Sequence, residues 1–206
     1  MKAVIFDLDG VIVSTDHLHY LAWKKITDQE HISFNEEVNH LLRGLSREAS
    51  LEVILKQTDK TYTLEEKNDL IMLKNQYYLE SIASLSPDDL LEGIPELLGL
   101  LKDKGYKVAI GSSSKNATYI LKQIGLLDFF DAISDGNNIT HSKPNPEVFL
   151  KAADMLGVAP EACVVVEDAK VGIEAAKKAG MKAYAVGDAL NSELKDGSLL
   201  DLMLNL

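Results

Sequence analysis

Two aspartates stand two residues apart after a short apolar run, in the sequence Ile5-Phe6-Asp7-Leu8-Asp9-Gly10. If the run is a strand, its two-residue period points both carboxylates to one side. Like charges this close raise the pKa of one group unless a cation intervenes, so the pair predicts a metal ion or a proton-carrying acid. Taken alone, the segment is also compatible with a solvated Asp-Gly turn.

A second acidic pair, Glu167 and Asp168, follows the apolar run at residues 164–166. Open α/β sheets bind ligands at the carboxyl ends of their strands, where the two acidic pairs could meet. Oxygen ligands from separate loops suit Mg²⁺, which usually keeps waters and a substrate phosphate as its other ligands. Asp168 could also cap the following helix, but capping does not account for Glu167.

A hydroxyl-rich turn, Gly111-Ser112-Ser113-Ser114-Lys115-Asn116, joins a predicted strand to a helix. Backbone N–H groups and hydroxyls in such a turn can hold phosphate oxygens. Lys143 precedes Pro144, which favours extended backbone at the lysine. A cation beside the turn would balance the charge of a transferring phosphoryl group. Each feature by itself is more often a plain turn or a surface charge.

The elements that must position these residues follow from the apolar pattern. Runs rich in β-branched residues at 3–6, 107–111, 164–166 and 182–186 are separated by helical segments from residue 95 onward, which predicts a mostly parallel sheet. Between residues 15 and about 85 the pattern is helical, with a capping box at Thr63-Leu64-Glu65-Glu66. We therefore predict an α/β fold, in which a Rossmann-like core (1–14 and 87–206) carries an inserted α-helical cap (15–86).

Two helix faces are predicted within the cap. The first carries Leu51, Ile54 and Leu55, and the second carries Leu64, Leu70, Leu73 and Tyr77.

Composition excludes some classes of function. The 206 residues are 46% hydrophobic, which is enough for a real core, and the net charge of -11 disfavours binding to nucleic acid or anionic membranes. No apolar run has the length of a membrane span or a signal sequence, so we expect a cytoplasmic protein. The single cysteine, Cys163, lies in an apolar run and is expected to be a buried, inert thiol.

Taken together, these motifs resemble those of the haloacid dehalogenase superfamily over nearly the whole chain. Its four motifs are matched in order by Asp7-x-Asp9-Gly10, Ser112, Lys143 before Pro144, and Glu167-Asp168. Within the superfamily the chain is similar to the β-phosphoglucomutase family. The segments that match that family are Asp9-Gly10-Val11-Ile12, Thr15, His19 with Ala22-Trp23, Gly44-Leu45-Ser46-Arg47-Glu48, Lys74-Asn75 and Ser112-x-Ser114-Lys115-Asn116. The cap segments are the specific ones, because simple phosphatases share only the core motifs.

The resemblance implies a Mg²⁺-dependent phosphotransferase. Asp7 would become an aspartyl phosphate, and Asp9 would act as general acid and base. The metal would be held by the Asp7 carboxylate, the Asp9 backbone carbonyl and Asp168, with Glu167 in or next to its coordination shell. Ser112 and Lys143 would hold the transferring phosphoryl group. The other implied substrate-binding residues are His19, Gly44, Arg47, Lys74, Ser114, Lys115 and Asn116. Among these, Arg47 and the last three would hold the non-reacting phosphate, while His19 and Lys74 would contact the sugar or orient Asp9.

The implied reaction converts β-D-glucose 1-phosphate to glucose 6-phosphate through β-glucose 1,6-bisphosphate. We expect a small sugar phosphate as the partner molecule, and a monomer. One alternative is a sugar-phosphate phosphatase of the same superfamily, because the core residues do not separate the two. Another is a non-catalytic Mg²⁺- or phosphate-binding module, against which the presence of both Asp7 and Asp9 argues.

Two features depart from the family pattern. Ser14 replaces the aspartate that usually precedes the Thr15 position. The tail after Gly187 is shorter than expected, and the family's last strand is not recognisable in it.

Overall fold

A single sheet of six strands runs through the computed structural model, which describes residues 1–206. The strands are β1 (Ala3–Phe6), β2 (Lys107–Gly111), β3 (Ala132–Ser134), β4 (Cys163–Glu167), β5 (Lys182–Ala185) and β6 (Gly197–Ser198). Their order is β3-β2-β1-β4-β5-β6, and every neighbouring pair is parallel. The predicted fold class is therefore confirmed.

Four helices are inserted between β1 and the rest of the core: α1 (Asp16–Glu30), α2 (Glu36–His40), α3 (Arg47–Leu55) and α4 (Leu64–Ile82). The other five are α5 (Ile94–Asp103), α6 (Ala117–Gln123), α7 (Glu147–Leu156), α8 (Lys170–Lys178) and α9 (Leu199–Leu204). None of these helices combines the length and apolar character needed to cross a lipid bilayer.

The sheet is covered on both faces, which explains why its central strands are apolar without alternation. In β1, Val4 and Phe6 face a buried cluster that includes residues of α5 and α6, while Ile5 faces a cluster with α7 and α8. All four residues of β1 are fully buried. Because the sheet's faces are occupied, its free carboxyl edge is where polar side chains can gather.

The sequence does not predict two of the six strands, because they are very short. β3 has three residues, and β6 has two, which pair with Tyr184 and Ala185 of β5. The tail after Gly187, in which no strand is recognisable from the sequence, therefore does contain the last strand of the sheet. A two-residue strand gives no alternation to detect, and neighbouring backbone alone defines it.

The inserted helices build a buried cluster of their own. It comprises Trp23, Ile26, Ile32, Phe34, Leu42, Leu51 and Ile54, with Leu55, Leu70, Leu73 and Tyr77 packed against it. The predicted capping box at Thr63 is present. Leu64, predicted to share the inner face of α4, is instead 77% exposed, because it is the first residue of the helix and lies before the packed turns. Cap boundaries near 14 and 87 remain a prediction.

Removing side-chain volume inside this cap cluster should destabilise the protein. Ile54 is fully buried, so Ile54→Ala should lower the free energy of unfolding by about 2–5 kcal/mol through lost burial and an unfilled cavity. Leu64→Ala, a matched change on the exposed side chain, should stay within about 0.5 kcal/mol of the original protein. Urea denaturation of the two variants measures both, and equal losses would contradict the assignment of the cluster.

Candidate active site

The carboxyl edge of the sheet and the inserted helices enclose a cavity of about 290 Å³. Only five of its 27 lining residues are hydrophobic, so it suits a small polar ligand rather than an apolar one. Eleven of the thirteen predicted site residues line it: Asp7, Asp9, His19, Gly44, Arg47, Lys74, Ser112, Ser114, Lys115, Asn116 and Asp168. The remaining two, Lys143 and Glu167, lie behind Asp7. Tertiary structure thus gathers residues from both parts of the chain, while their individual roles stay predictions.

Three carboxylates are concentrated at the ends of β1 and β4. Oxygens of Asp7, Glu167 and Asp168 all lie within 4.8 Å of one another. Lys143 is fully buried beside them and donates hydrogen bonds to Asp7 and, at 2.8 Å, to Glu167. Strand geometry accounts for Asp7, whose backbone N–H donates to the Val166 carbonyl at 2.9 Å and so extends the pairing of β1 with β4.

The electrostatics of this cluster call for more positive charge than Lys143 supplies. Burial, followed by the charge of Glu167, raises the pKa of Asp7 to about 8 even though Lys143 opposes the shift. Burial and Glu167 likewise raise the pKa of Asp168 to about 9. A divalent cation would relieve both shifts, and an oxygen-only set of donors fits Mg²⁺. The residues present therefore fit the metal that the sequence predicts.

Glycine at two positions lets the acidic side chains approach the backbone. Gly10 has φ +84°, and a Cβ there would lie 2.2 Å from an Asp168 carboxylate oxygen. In α8, a Cβ on Gly172 would lie 2.0 Å from the carboxylate carbon of Glu167. The idea that Asp168 caps α8 is wrong, because the residue at the cap position is Ala169. Its carboxylate instead packs against the Asp7–Gly10 loop.

Asp9 is held by residues of the cap. The Thr15 hydroxyl donates to one of its carboxylate oxygens, and Nε2 of His19 lies 3.8 Å from the same oxygen. Nζ of Lys74 is 2.9 Å from the other ring nitrogen of His19. Burial acts to raise the pKa of Asp9, but His19 and Thr15 outweigh it and lower that pKa below the ordinary aspartate value. Burial, then the charge of Arg47, lowers the pKa of Lys74 to about 7.

A second group of polar residues joins the cap to the serine-rich turn. Lys115 forms an ion pair with Glu48 of α3 at 2.8 Å, and the Asn116 side chain donates to Asn75 of α4 at 2.9 Å. The turn is braced from within, since the Ser112 hydroxyl accepts the Ser114 N–H at 3.1 Å. Arg47, the first residue of α3, forms no ion pair and lines the cavity, so its guanidinium is free for an anionic ligand.

Some cavity residues were missing from the predicted site. Arg43 of the cap pairs with Asp188 of the core and, at 3.0 Å, with Asp16. Tyr78 and Ser113 also line the cavity. Ser113 lies in the serine-rich turn that the sequence indicates, but no local signal identifies the others. Arg43 and Asp188 are 145 residues apart, and Tyr78 reads from the sequence as one more apolar position on a helix.

Comparison with known proteins places this geometry in context. The sequence model of the haloacid dehalogenase-like hydrolase family matches residues 1–180 of this chain. A β-phosphoglucomutase of Bacillus subtilis is 46% identical over 211 residues, which cover 100% of this chain and 93% of that protein. A phosphorylated-carbohydrates phosphatase of Thermotoga maritima is 32% identical, covering 93% and 88%. The crystal structure of a β-phosphoglucomutase from Clostridium difficile superposes with a TM-score of 0.92 at 38% identity, covering 97% and 90%.

The close approach at Gly172 gives a test of the acidic cluster. Gly172→Ala should push the Glu167 carboxylate out of place, lowering stability by about 1–3 kcal/mol and weakening Mg²⁺ binding at least severalfold. Gly99→Ala is the matched control, because Gly99 also lies in a helix but a Cβ there meets nothing within 4 Å. That change should stabilise the protein by about 0.5–1 kcal/mol. Urea denaturation and calorimetric Mg²⁺ titration measure the two effects; unchanged metal affinity in Gly172→Ala would contradict the placement of Glu167.

Proposed function

The chain belongs to the haloacid dehalogenase-like hydrolase family, and from that premise we propose that it is a β-phosphoglucomutase, which interconverts β-D-glucose 1-phosphate and glucose 6-phosphate. One observation of the structure carries the proposal beyond family membership. A single cavity contains two groups of candidate phosphate-binding residues, one beside Asp7 and one around Arg47. A mutase needs both, because its bisphosphate intermediate has one phosphate at the nucleophile and one away from it.

The chemistry begins at Asp7, whose carboxylate attacks a phosphoryl group of the 1,6-bisphosphate. An aspartyl phosphate forms as the bond between phosphorus and the sugar oxygen breaks, and the sugar leaves as a monophosphate. Lys143, which already contacts Asp7, neutralises negative charge on the transferring group, and the Ser112 hydroxyl and its turn hold phosphoryl oxygens. Asp9 is ionised because its pKa is lowered, so it can accept the proton of the sugar hydroxyl that takes up the phosphoryl group. In the reverse direction it returns that proton to the leaving oxygen.

Magnesium would be held by the Asp7 carboxylate, the Asp9 backbone carbonyl and Asp168, with Glu167 in or next to the coordination shell. When bound, it supplies positive charge beside the phosphoryl oxygens. Lys143 holds the Asp7 carboxylate in position through its hydrogen bond. Lys143 is itself held by Glu167, because both side chains are fully buried and hydrogen-bonded to each other.

The second group of residues positions the sugar phosphate. Arg47 binds the non-reacting phosphate together with Ser114, Lys115 and Asn116, and Gly44 lets the cap loop pass close to the core at φ +73°. β-Glucose 1,6-bisphosphate, the intermediate and activator, would turn over in this cavity to present its other phosphate to Asp7. We also propose that the enzyme works as a cytoplasmic monomer, since one chain supplies every residue named for the reaction.

A sugar-phosphate phosphatase is the alternative, and the similarity to a Thermotoga maritima phosphatase is the observation that favours it. Water instead of a sugar hydroxyl would then accept the phosphoryl group from Asp7. That reaction needs the core residues but not the group around Arg47. The two functions therefore differ in what the cap residues contribute.

The deciding assay incubates the protein with β-glucose 1-phosphate, a catalytic amount of the 1,6-bisphosphate and Mg²⁺, and measures glucose 6-phosphate against free phosphate. We expect glucose 6-phosphate to dominate. Release of free phosphate as the main product would favour the phosphatase.

Asp7→Asn should lower the rate of the reaction by several orders of magnitude, because an amide cannot attack the phosphoryl group.

Excess chelator should stop turnover, and added Mg²⁺ should restore it.

Arg47 separates the two functions by mutation. Arg47→Ala should lower the rate of glucose 6-phosphate formation by about thirtyfold to a thousandfold, or about 2–4 kcal/mol, because a half-buried, charge-assisted contact to the second phosphate is lost. Phosphate release from acetyl phosphate should change far less, since that donor has no second phosphate. Arg47→Lys should recover only part of the loss, because lysine lacks the planar fork.

Steady-state rates of the three proteins on both substrates provide the measurement. Equal losses on the two substrates, or no loss on the sugar phosphate, would contradict the assignment of Arg47 to the second phosphate.

A further inference from the structure

Tyr78 is a buried polar residue for which the proposed reaction gives no role. It lies on α4 one turn after Lys74, so the two side chains share a face of the helix. Only 1% of the residue is exposed, and it lines the cavity. Its ring stacks on His19 with centroids 4.1 Å apart, and Nζ of Lys74 lies 4.4 Å from the ring centroid. The ring is therefore fixed by His19, which lies beside Asp9, and by Lys74, which contacts His19.

The hydroxyl of Tyr78 has no hydrogen-bond partner, although its oxygen is buried. Leaving such a group unpaired costs about 1–3 kcal/mol, and most buried hydroxyls in folded proteins are paired. A phenylalanine would fill the same space without that cost. An unpaired hydroxyl in a ligand cavity is therefore a sign of a partner that arrives with the ligand.

The surroundings of the hydroxyl indicate which part of a ligand it meets. Burial, followed by the charge of Asp9, raises the pKa of Tyr78, while Thr15 and Arg47 act in the opposite direction. Thr15 and Asp9 are near enough for hydrogen-bond interactions with the hydroxyl to affect this pKa, yet neither meets the distance and angle of a normal hydrogen bond with it. The hydroxyl thus lies among the acid–base carboxylate and the arginine assigned to the second phosphate. The part of a hexose phosphate that connects those two positions is the sugar ring.

We propose that Tyr78 is a sugar-binding residue, whose hydroxyl exchanges a hydrogen bond with one hydroxyl of the hexose ring. The inference rests on the proposed function for its substrate class, and it adds a residue that decides between sugars. A site that holds a sugar hydroxyl with a buried partner rejects the analogue that lacks it, because the partner is then left unpaired. An apolar wall would not make that distinction.

The test compares Tyr78→Phe with Tyr77→Phe. Tyr77 is the adjacent tyrosine on the same helix, but it does not line the cavity, and its hydroxyl accepts a hydrogen bond from Gln29 at 3.1 Å. Each protein is assayed with β-glucose 1-phosphate and with its 2-deoxy, 3-deoxy and 4-deoxy analogues. We expect Tyr78→Phe to lower kcat/KM on the parent sugar by about ten- to a hundredfold, and Tyr77→Phe to leave it unchanged.

Comparison of kcat/KM on the deoxy analogues decides the role of Tyr78, because a merely structural effect would lower kcat/KM equally on all the sugars. For one of the three deoxy sugars, the original protein and Tyr78→Phe should agree within about twofold, since neither complex then contains the hydrogen bond. A loss of equal size on all four sugars would overturn the proposal and assign the hydroxyl to support of Asp9. No loss on any sugar would overturn it as well.

The same series separates failure of the inference from failure of the proposed function. If the original protein releases free phosphate and forms no glucose 6-phosphate, the mutase proposal fails. Rates of phosphate release from the four sugars then decide the role of Tyr78 by the same criterion.

Discussion

Lys143 binds Asp7 and Glu167 at once, and the rest of the site depends on this buried arrangement of charges. Three carboxylates lie within 4.8 Å at the ends of two neighbouring strands, and two of the three residues are almost completely removed from solvent. Burial, followed by the charge of Glu167, raises the pKa values of Asp7 and Asp168, and one lysine does not offset both effects. A divalent cation held by these carboxylates would complete the charge balance.

The cap is inserted shortly after Asp9, so the first residues of the cap contact the carboxylate of that residue. α1 begins only seven residues after Asp9, and Thr15 occupies the position that would cap this helix. Its side chain makes no capping bond and donates to Asp9 instead. A helix normally loses about 1 kcal/mol without its cap, so the hydroxyl holds the Asp9 carboxylate at some expense of helix stability. His19 follows one turn later, which makes the position of Asp9 sensitive to the position of α1.

Contacts between cap and core surround the cavity. Lys115 pairs with Glu48, Asn116 with Asn75, and Arg43 with Asp188. The first two use residues that the proposed function assigns to the second phosphate. A phosphate that binds here would therefore replace Glu48 as the partner of Lys115. Arg47 has no ion-pair partner to lose and can contact the phosphate directly. Under the proposed function, affinity for the second phosphate would thus depend on how close the cap lies to the core, a dependence that a phosphatase acting on a single phosphate does not require.

The sequence by itself determined the fold class and the positions of the two acidic pairs and the serine-rich turn, and it predicted Lys143 as a member of the site. These depend on local signals: the strand period, glycine after an aspartate pair, and motif order along the chain. Tertiary structure alone decided the rest. It paired β6 with β5, placed Ala169 rather than Asp168 at the cap position of α8, and left Leu64 exposed. It also brought Arg43 to Asp188 and Tyr78 close to Asp9. The strand pairing, the ion pair and the position of Tyr78 depend on residues distant in the sequence, whose contacts have no local pattern. Whether a tyrosine on an apolar helix face is simple core or an unpaired hydroxyl in a cavity depends on what packs around it, and only the folded chain supplies those neighbours.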